Sequence, residues 1–118
     1  MRIFITGGSG DLGRPLSARA AVRWQTFAGY CRTPHIGGGR AVHFDLRDGA
    51  TVRRIVAELH PDVIIHAAVS DRTPDMEATN RDAAANIGAA AQQVGARLIA
   101  LSTDMVFDGT APPYACLL

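Results

Sequence analysis

The feature that most constrains this chain is the segment Gly7-Gly8-Ser9-Gly10-Asp11-Leu12-Gly13. It follows the apolar run Arg2 to Thr6 directly and opens a stretch with helical spacing, Leu12, Leu16 and Ala20. A strand that turns through glycines into a helix is the start of a strand-helix-strand unit, whose strands lie parallel. The spacing satisfies G-x-x-G-x-x-G through Gly7, Gly10 and Gly13, and also G-x-G-x-x-G through Gly8, Gly10 and Gly13.

The rest of the chain agrees with that start. Five strands are expected: Arg2 to Thr6, Thr26 to Cys31, Ala41 to Asp45, Asp62 to Ala67 and Arg97 to Ser102. The last two are nearly continuous apolar runs, suited to burial on both faces of a sheet. Three helices alternate with them. Leu12 to Arg23 is the first, with Pro15 slightly late for a first-turn proline. Ala50 to Glu58 is the second, capped by Asp48, carrying the stripe Val52, Ile55, Val56 and Leu59, and ended by His60-Pro61. Met76 to Val94 is the third, with Ala83, Ile87, Ala90 and Val94 on one face and Gly95 as its C-terminal cap. Gly37-Gly38-Gly39 reads as a flexible connection, because no helix pattern follows to aim N–H groups at a phosphate. The expected fold is α/β: a Rossmann-like, doubly wound parallel sheet of about five strands in the order 3-2-1-4-5. Residues 1–118 suit one nucleotide-binding domain, able to remove roughly two thirds of its unfolded surface from water.

The glycine turn carries the first chemistry. A pyrophosphate needs unengaged backbone N–H groups and the positive end of a helix, and a Cβ at closest approach would hold it off. A glycine-rich turn also joins strands to helices for geometric reasons alone. Here its place after the first strand of a repeated alternation points to a dinucleotide, with Gly7, Gly10 and Gly13 as contacts. An NAD site carries an acid about 20 residues beyond the glycines, an NADP site an arginine. The second strand ends Tyr30-Cys31-Arg32-Thr33 with no acid, so Arg32 is a candidate for a 2′-phosphate and NADP(H) the expected cofactor, with NAD(H) possible. Asp45 and Leu46 could meet the adenine; equally, Asp45 is a carboxylate preceding the next helix. Ala67 and Ala68 follow the fourth strand, where the sheet reverses direction and ligands bind in such folds.

Composition excludes other classes. Charged residues make up 19% and hydrophobic ones 47%, with a formal net charge of +1, which fits a globular protein and offers nucleic acid no basic surface. No apolar run approaches the roughly 20 residues of a membrane span, and Met1 leads straight into a strand, so a cytoplasmic location is expected. Cys31 and Cys116 show neither metal-ligand spacing nor a disulfide framework, and no metal is expected. All 12 basic residues are arginines.

A second signature stands at the fifth strand: Leu101-Ser102-Thr103-Asp104-Met105-Val106-Phe107-Asp108-Gly109, followed by Pro112-Pro113-Tyr114. With the glycine turn and His60-Pro61-Asp62-Val63-Ile64-Ile65-His66-Ala67-Ala68, it resembles dTDP-4-dehydrorhamnose reductase and its relatives among the extended short-chain dehydrogenases. The string matches that family's S-T-D-Y-V-F-D-G except at Met105, which stands where the family has tyrosine. The resemblance implies an oxidoreductase that reduces the 4-keto group of a dTDP-linked deoxysugar. A hydroxyl holds the carbonyl, a tyrosine passes the proton, a lysine steadies the tyrosine, and hydride comes from the nicotinamide. Carried over, Thr103 is the catalytic hydroxyl, Asp104 lies beside it near the sugar nucleotide, and Leu101 lines the nicotinamide side. Asp11, Leu12, Asp45, Leu46 and Ala67, Ala68 and Val69 fall at the family's cofactor contacts. Asn80 resembles a helix asparagine of these enzymes, though a solvated polar residue fits its position as well.

The family's Y-x-x-x-K pair is missing. Tyr114 is not that tyrosine, since Leu118 stands four residues on, and the chain contains no lysine. The expectation is a cofactor-binding piece of a longer parent, truncated or frame-shifted before the later strands and the substrate domain, and inactive alone. The apolar edge Leu98 to Leu101 would then invite self-association. Two alternatives share the pattern: a non-catalytic binding module, like the regulatory subunits of methionine adenosyltransferase, and an NAD-dependent epimerase or dehydratase relative.

Overall fold

The structure is a computed structural model, and it describes residues 1–71, 73–103 and 109–110. Its elements run β1 (Arg2–Thr6), α1 (Gly13–Ala21), β2 (Gln25–Tyr30), β3 (Arg40–His43), α2 (Gly49–Leu59), β4 (Val63–His66), α3 (Met76–Val94) and β5 (Arg97–Ala100). The strands form one parallel sheet in the order β3-β2-β1-β4-β5, as expected from the alternation of runs. Right-handed crossovers explain the layering. Moving out from β1 to β2 puts α1 on one face, and moving back through β4 to β5 puts α2 and α3 on the other.

The core is unequal on the two faces. Against α2 and α3 lie Phe4, Phe27, Phe44 and Ile64 with the helical residues Val52, Ile55, Val56, Leu59 and Ile87. On the other face the core is only Ile3, Ile5 and Ala20 of α1, flanked by the half-buried Leu16, Val63 and Ile65. The stripe expected on α2 is the buried one, residue for residue. On α3 the buried line is Ala83, Ile87, Ala90 and Ala91, with Val94 only half-buried at the frayed end of the stripe.

Several boundaries differ from those the sequence suggests. The first helix starts at Gly13, so Pro15 falls inside its first turn, where the lost N–H has no intrahelical partner in any case. Its buried face runs through Gly13, Ser17 and Ala20, while Leu12 is exposed beside the turn. Strands β3, β4 and β5 end one to two residues early, where the ladder pairing stops. Single bonds persist beyond it, from Phe44 N to Tyr30 O (3.1 Å) and from Leu101 N to His66 O (3.3 Å).

The triple glycine is a packed segment and not a loose connection. Gly37 N donates to the buried Ser17 Oγ at 3.1 Å, and a Cβ on Gly37 would overlap the carbonyl of Arg14. Gly39 takes φ +80°. The glycines let this segment lie directly on α1 before β3 begins. No helix of the described residues is long and apolar enough to cross a membrane.

Candidate functional site

The C-terminal ends of the strands open into a cleft of about 930 Å³. It lies over the point between β1 and β4 where the strand order reverses, the position at which open α/β sheets bind ligands. The glycine turn forms its floor. Gly7 has φ +68°, and a Cβ there would stand 2.7 Å from both the Cα and the N of Ala68. Gly8 N donates to Gly29 O at 2.7 Å, and a Cβ on Gly8 would meet the Cβ of Ala28 at 2.7 Å. Gly13 stands behind the turn, where a Cβ would overlap the Gly7 carbonyl. These three glycines are required by the protein's own packing.

Gly10 is different. A Cβ there has a single protein atom within 4 Å, the Gly7 oxygen at 3.3 Å. The space it would fill belongs to the cleft, so the absence of a side chain serves something that approaches from outside. Gly10 N is taken by Gly7 O (3.0 Å), whereas among the described residues the N–H groups of Asp11 and Leu12 have no backbone acceptor. They precede α1 and share the positive end of its dipole, the arrangement an anion prefers. The residues therefore fit a pyrophosphate-containing dinucleotide.

A buried network fixes the turn to the opposite wall. Thr6 Oγ1 and His66 Nδ1 are 2.7 Å apart, and Ala68 N donates to the same hydroxyl at 3.3 Å. Thr6 is fully buried and His66 nearly so. Burial pushes the His66 pKa below its ordinary value, which keeps the ring neutral near pH 7. Sequence reading left Thr6 and His66 without a role. Their place at the last positions of two neighbouring central strands, where Thr6 pairs with His66, was the available signal.

At the exits of β2 and β3, Arg32, Asp45, Leu46 and Arg47 all line the cleft. Both Asp45 oxygens accept from Arg47, whose Nη2 lies 2.7 Å from Oδ2 and whose Nε is 3.1 Å from each oxygen. The Arg47 guanidinium holds the Asp45 carboxyl below the usual carboxylate range. Asp48, and not Asp45, caps α2: its carboxylate accepts from Thr51 N (3.2 Å) and Thr51 Oγ1 (2.6 Å), which lowers its pKa as well. Asn86 on α3 donates to Leu46 O at 2.8 Å and so ties this turn to the helix layer.

The far wall comes from the segments after β4 and β5. Ala67, Ala68, Val69, Leu101, Ser102 and Thr103 all line the cleft. Asn80 is not a solvated polar residue: its Oδ1 accepts from Ser70 N at 2.7 Å and its Nδ2 donates to Ser70 O at 2.9 Å, pinning the segment after β4. Of the residues singled out from sequence, Gly7, Gly10, Asp11, Leu12, Arg32, Asp45, Leu46, Ala67, Ala68, Val69, Leu101 and Thr103 meet at this one cleft. Gly13 stands behind it, and Asp104 lies outside the described residues. Among the described residues no cluster of His, Cys, Asp and Glu is arranged to hold a metal ion.

Comparison with known proteins agrees with this geometry. The chain is 36% identical over 123 residues to methionine adenosyltransferase 2 subunit beta of Xenopus tropicalis, an alignment covering 96% of this chain and 35% of that protein. It is 35% identical over 121 residues to dTDP-4-dehydrorhamnose reductase of Streptomyces griseus, covering 96% and 37%. The crystal structure of the Bordetella bronchiseptica enzyme WbmG in complex with NAD and UDP superposes with a TM-score of 0.75 at 26% identity, over 85% of this chain and 36% of that one. The chain thus spans little more than a third of the length of these relatives. Residues 1–116 match the RmlD substrate binding domain, and the chain belongs to that family of extended short-chain-dehydrogenase-like proteins.

Proposed function

We propose that this chain is the cofactor-binding portion of an NADP-dependent reductase of the dTDP-4-dehydrorhamnose type. The observation that carries the reading is the convergence of the glycine turn, Arg32 and Thr103 on one cleft at the sheet's reversal point. The dinucleotide, when bound, supplies hydride. The chain's own residues do the rest of what falls to this portion. The N–H groups of Asp11 and Leu12 hold the pyrophosphate, and Arg32 takes the 2′-phosphate. Ala67 and Ala68 leave room for the dinucleotide to cross the sheet, and Thr103 offers a hydroxyl to the substrate carbonyl.

This portion has no lysine to pair with a tyrosine. General acid catalysis contributes a factor of about 10² to 10⁴, so the 118-residue chain should bind cofactor yet turn over a dTDP-4-keto-deoxysugar at a negligible rate. Titration of the purified chain with NADPH and NADH tests the binding: tighter binding of NADPH is expected. Failure to bind either nucleotide, or a preference for NADH, would remove the reading.

A second reading is a non-catalytic subunit. It is favoured by the 36% identity to methionine adenosyltransferase 2 subunit beta. A stable complex with a methionine adenosyltransferase catalytic subunit, whose activity responds to added NADPH, would select it over the reductase.

A further inference from the structure

We propose that Arg47 is a second guanidinium for the 2′-phosphate of the dinucleotide, held ready by Asp45. The inference rests on the NADP reading above and adds to it a residue for which the glycine motif and strand-end arginine gave no signal.

The placement follows from strand register. Tyr30 pairs with His43, so beyond the ladder Cys31 and Arg32 run beside Phe44 and Asp45. Two bonds keep the strand exits together: Phe44 N donates to Tyr30 O at 3.1 Å, and His43 Nε2 lies 2.9 Å from Cys31 O. Arg47 then folds back on Asp45 through its own N–H (2.9 Å to Oδ1), Nε and Nη2. Arg32, Asp45 and Arg47 consequently leave the sheet side by side and line the same cleft, where the Asp75 carboxylate also acts on Arg47.

The Asp45–Arg47 fork needs a reason beyond stability. Its side chains are 37% and 60% exposed, and ion pairs at such sites contribute little to folding. Its effect is orientation. The fork engages Nε and one hydrogen of Nη2, and leaves Nη1 and the other Nη2 hydrogen without an acceptor among the described residues. A guanidinium fixed in this way loses little rotamer freedom when it meets an anion, and its planar donors match a phosphate bidentately. Both guanidiniums attract a phosphate monoester, which brings about −1.5 to −2 charges. An adenosine 2′-hydroxyl gains nothing comparable, so Arg47 acts on the discrimination between the two cofactors.

The test is calorimetric titration of the 118-residue chain and its Arg32→Ala, Arg47→Ala, Arg47→Gln and Asp45→Ala variants with NADPH and with NADH. Expected are a loss of NADPH affinity of about tenfold for Arg47→Ala and Arg47→Gln, with NADH changed less than about twofold. Asp45→Ala loosens Arg47 but also removes a carboxylate that repels the phosphate, so the two effects offset and NADPH affinity should stay within about threefold of the parent. If Arg47→Ala and Arg47→Gln leave the NADPH-to-NADH ratio unchanged while Arg32→Ala shifts it, the role of Arg47 is overturned and the NADP reading stands. Equal losses for both nucleotides would mark Arg47 as a structural support of the turn and equally overturn the proposal. If Arg32→Ala also leaves the ratio unchanged, or the parent chain prefers NADH, the NADP reading itself falls.

Discussion

Gly7 and Gly10 stand three residues apart in one motif and answer to different demands. Gly7 has a positive φ and no room for a Cβ beside Ala68, so alanine there should cost about 1–3 kcal/mol of stability. Gly10 faces the cleft, so alanine there should leave stability within about 0.5 kcal/mol and weaken dinucleotide binding about tenfold. Urea unfolding and cofactor titration of the two variants separate these outcomes, and identical behaviour of the pair would refute the distinction. The spacing identified both positions, but spacing does not say which glycine serves the fold and which the ligand. That depends on what lies across from each, Ala68 in one case and open space in the other. Asp45 is a similar case. Its position after the third strand was legible, whereas its partner Arg47 required the fold-back of the turn.

At the scale of elements, α1 and the segment after β2 are held to each other by one buried hydroxyl. Ser17 Oγ donates to Arg14 O at 3.0 Å and accepts from Gly37 N at 3.1 Å. Ser17→Ala leaves the Gly37 N–H without its acceptor, and we expect a loss of about 1–3 kcal/mol with faster exchange at the Gly37 amide. Retained protection of that amide would show that the glycine packing alone holds the segment. A helix-period count passes over Ser17, because a polar residue on a buried face looks like an interruption of the stripe. The stripes of α2 and α3 were readable from sequence because they are apolar and long. The first helix was misjudged at Leu12, since its buried line runs through small residues that let the turn and the glycine segment come close.

At the scale of the molecule, the sheet is covered unevenly. The face over α2 and α3 carries most of the core, while a groove of about 510 Å³ between α1 and the sheet is lined by Ile3, Leu16, Trp24 and Ile65. Nearby, β5 is an edge strand of the described sheet, and Ile99 on it is 43% exposed. Parallel strands are ordinarily buried on both faces. We expect the chain to associate with itself as concentration rises, and Ile99→Asp to reduce that association without changing secondary structure. Sedimentation equilibrium reads the effect; a monomeric parent chain at all concentrations would contradict it.

The alternation of apolar runs, the glycine turn and the helix stripes pointed by themselves to the fold class, the strand order and the place of the glycine turn at the cleft. Each is a local signal: periodicity, spacing and capping act over a few residues and need no knowledge of distant partners. The tertiary structure alone decided the buried Thr6–His66 contact, the seating of Gly37 on α1 and the Asn80 clamp on Ser70. Those depend on register between strands and on which loops leave the sheet side by side, quantities fixed by packing across 10 to 60 residues of intervening chain. For that reason the sequence could mark a candidate dinucleotide turn and Arg32, while the contact between Asp45 and Arg47 emerged only when the turn after β3 was seen to fold back.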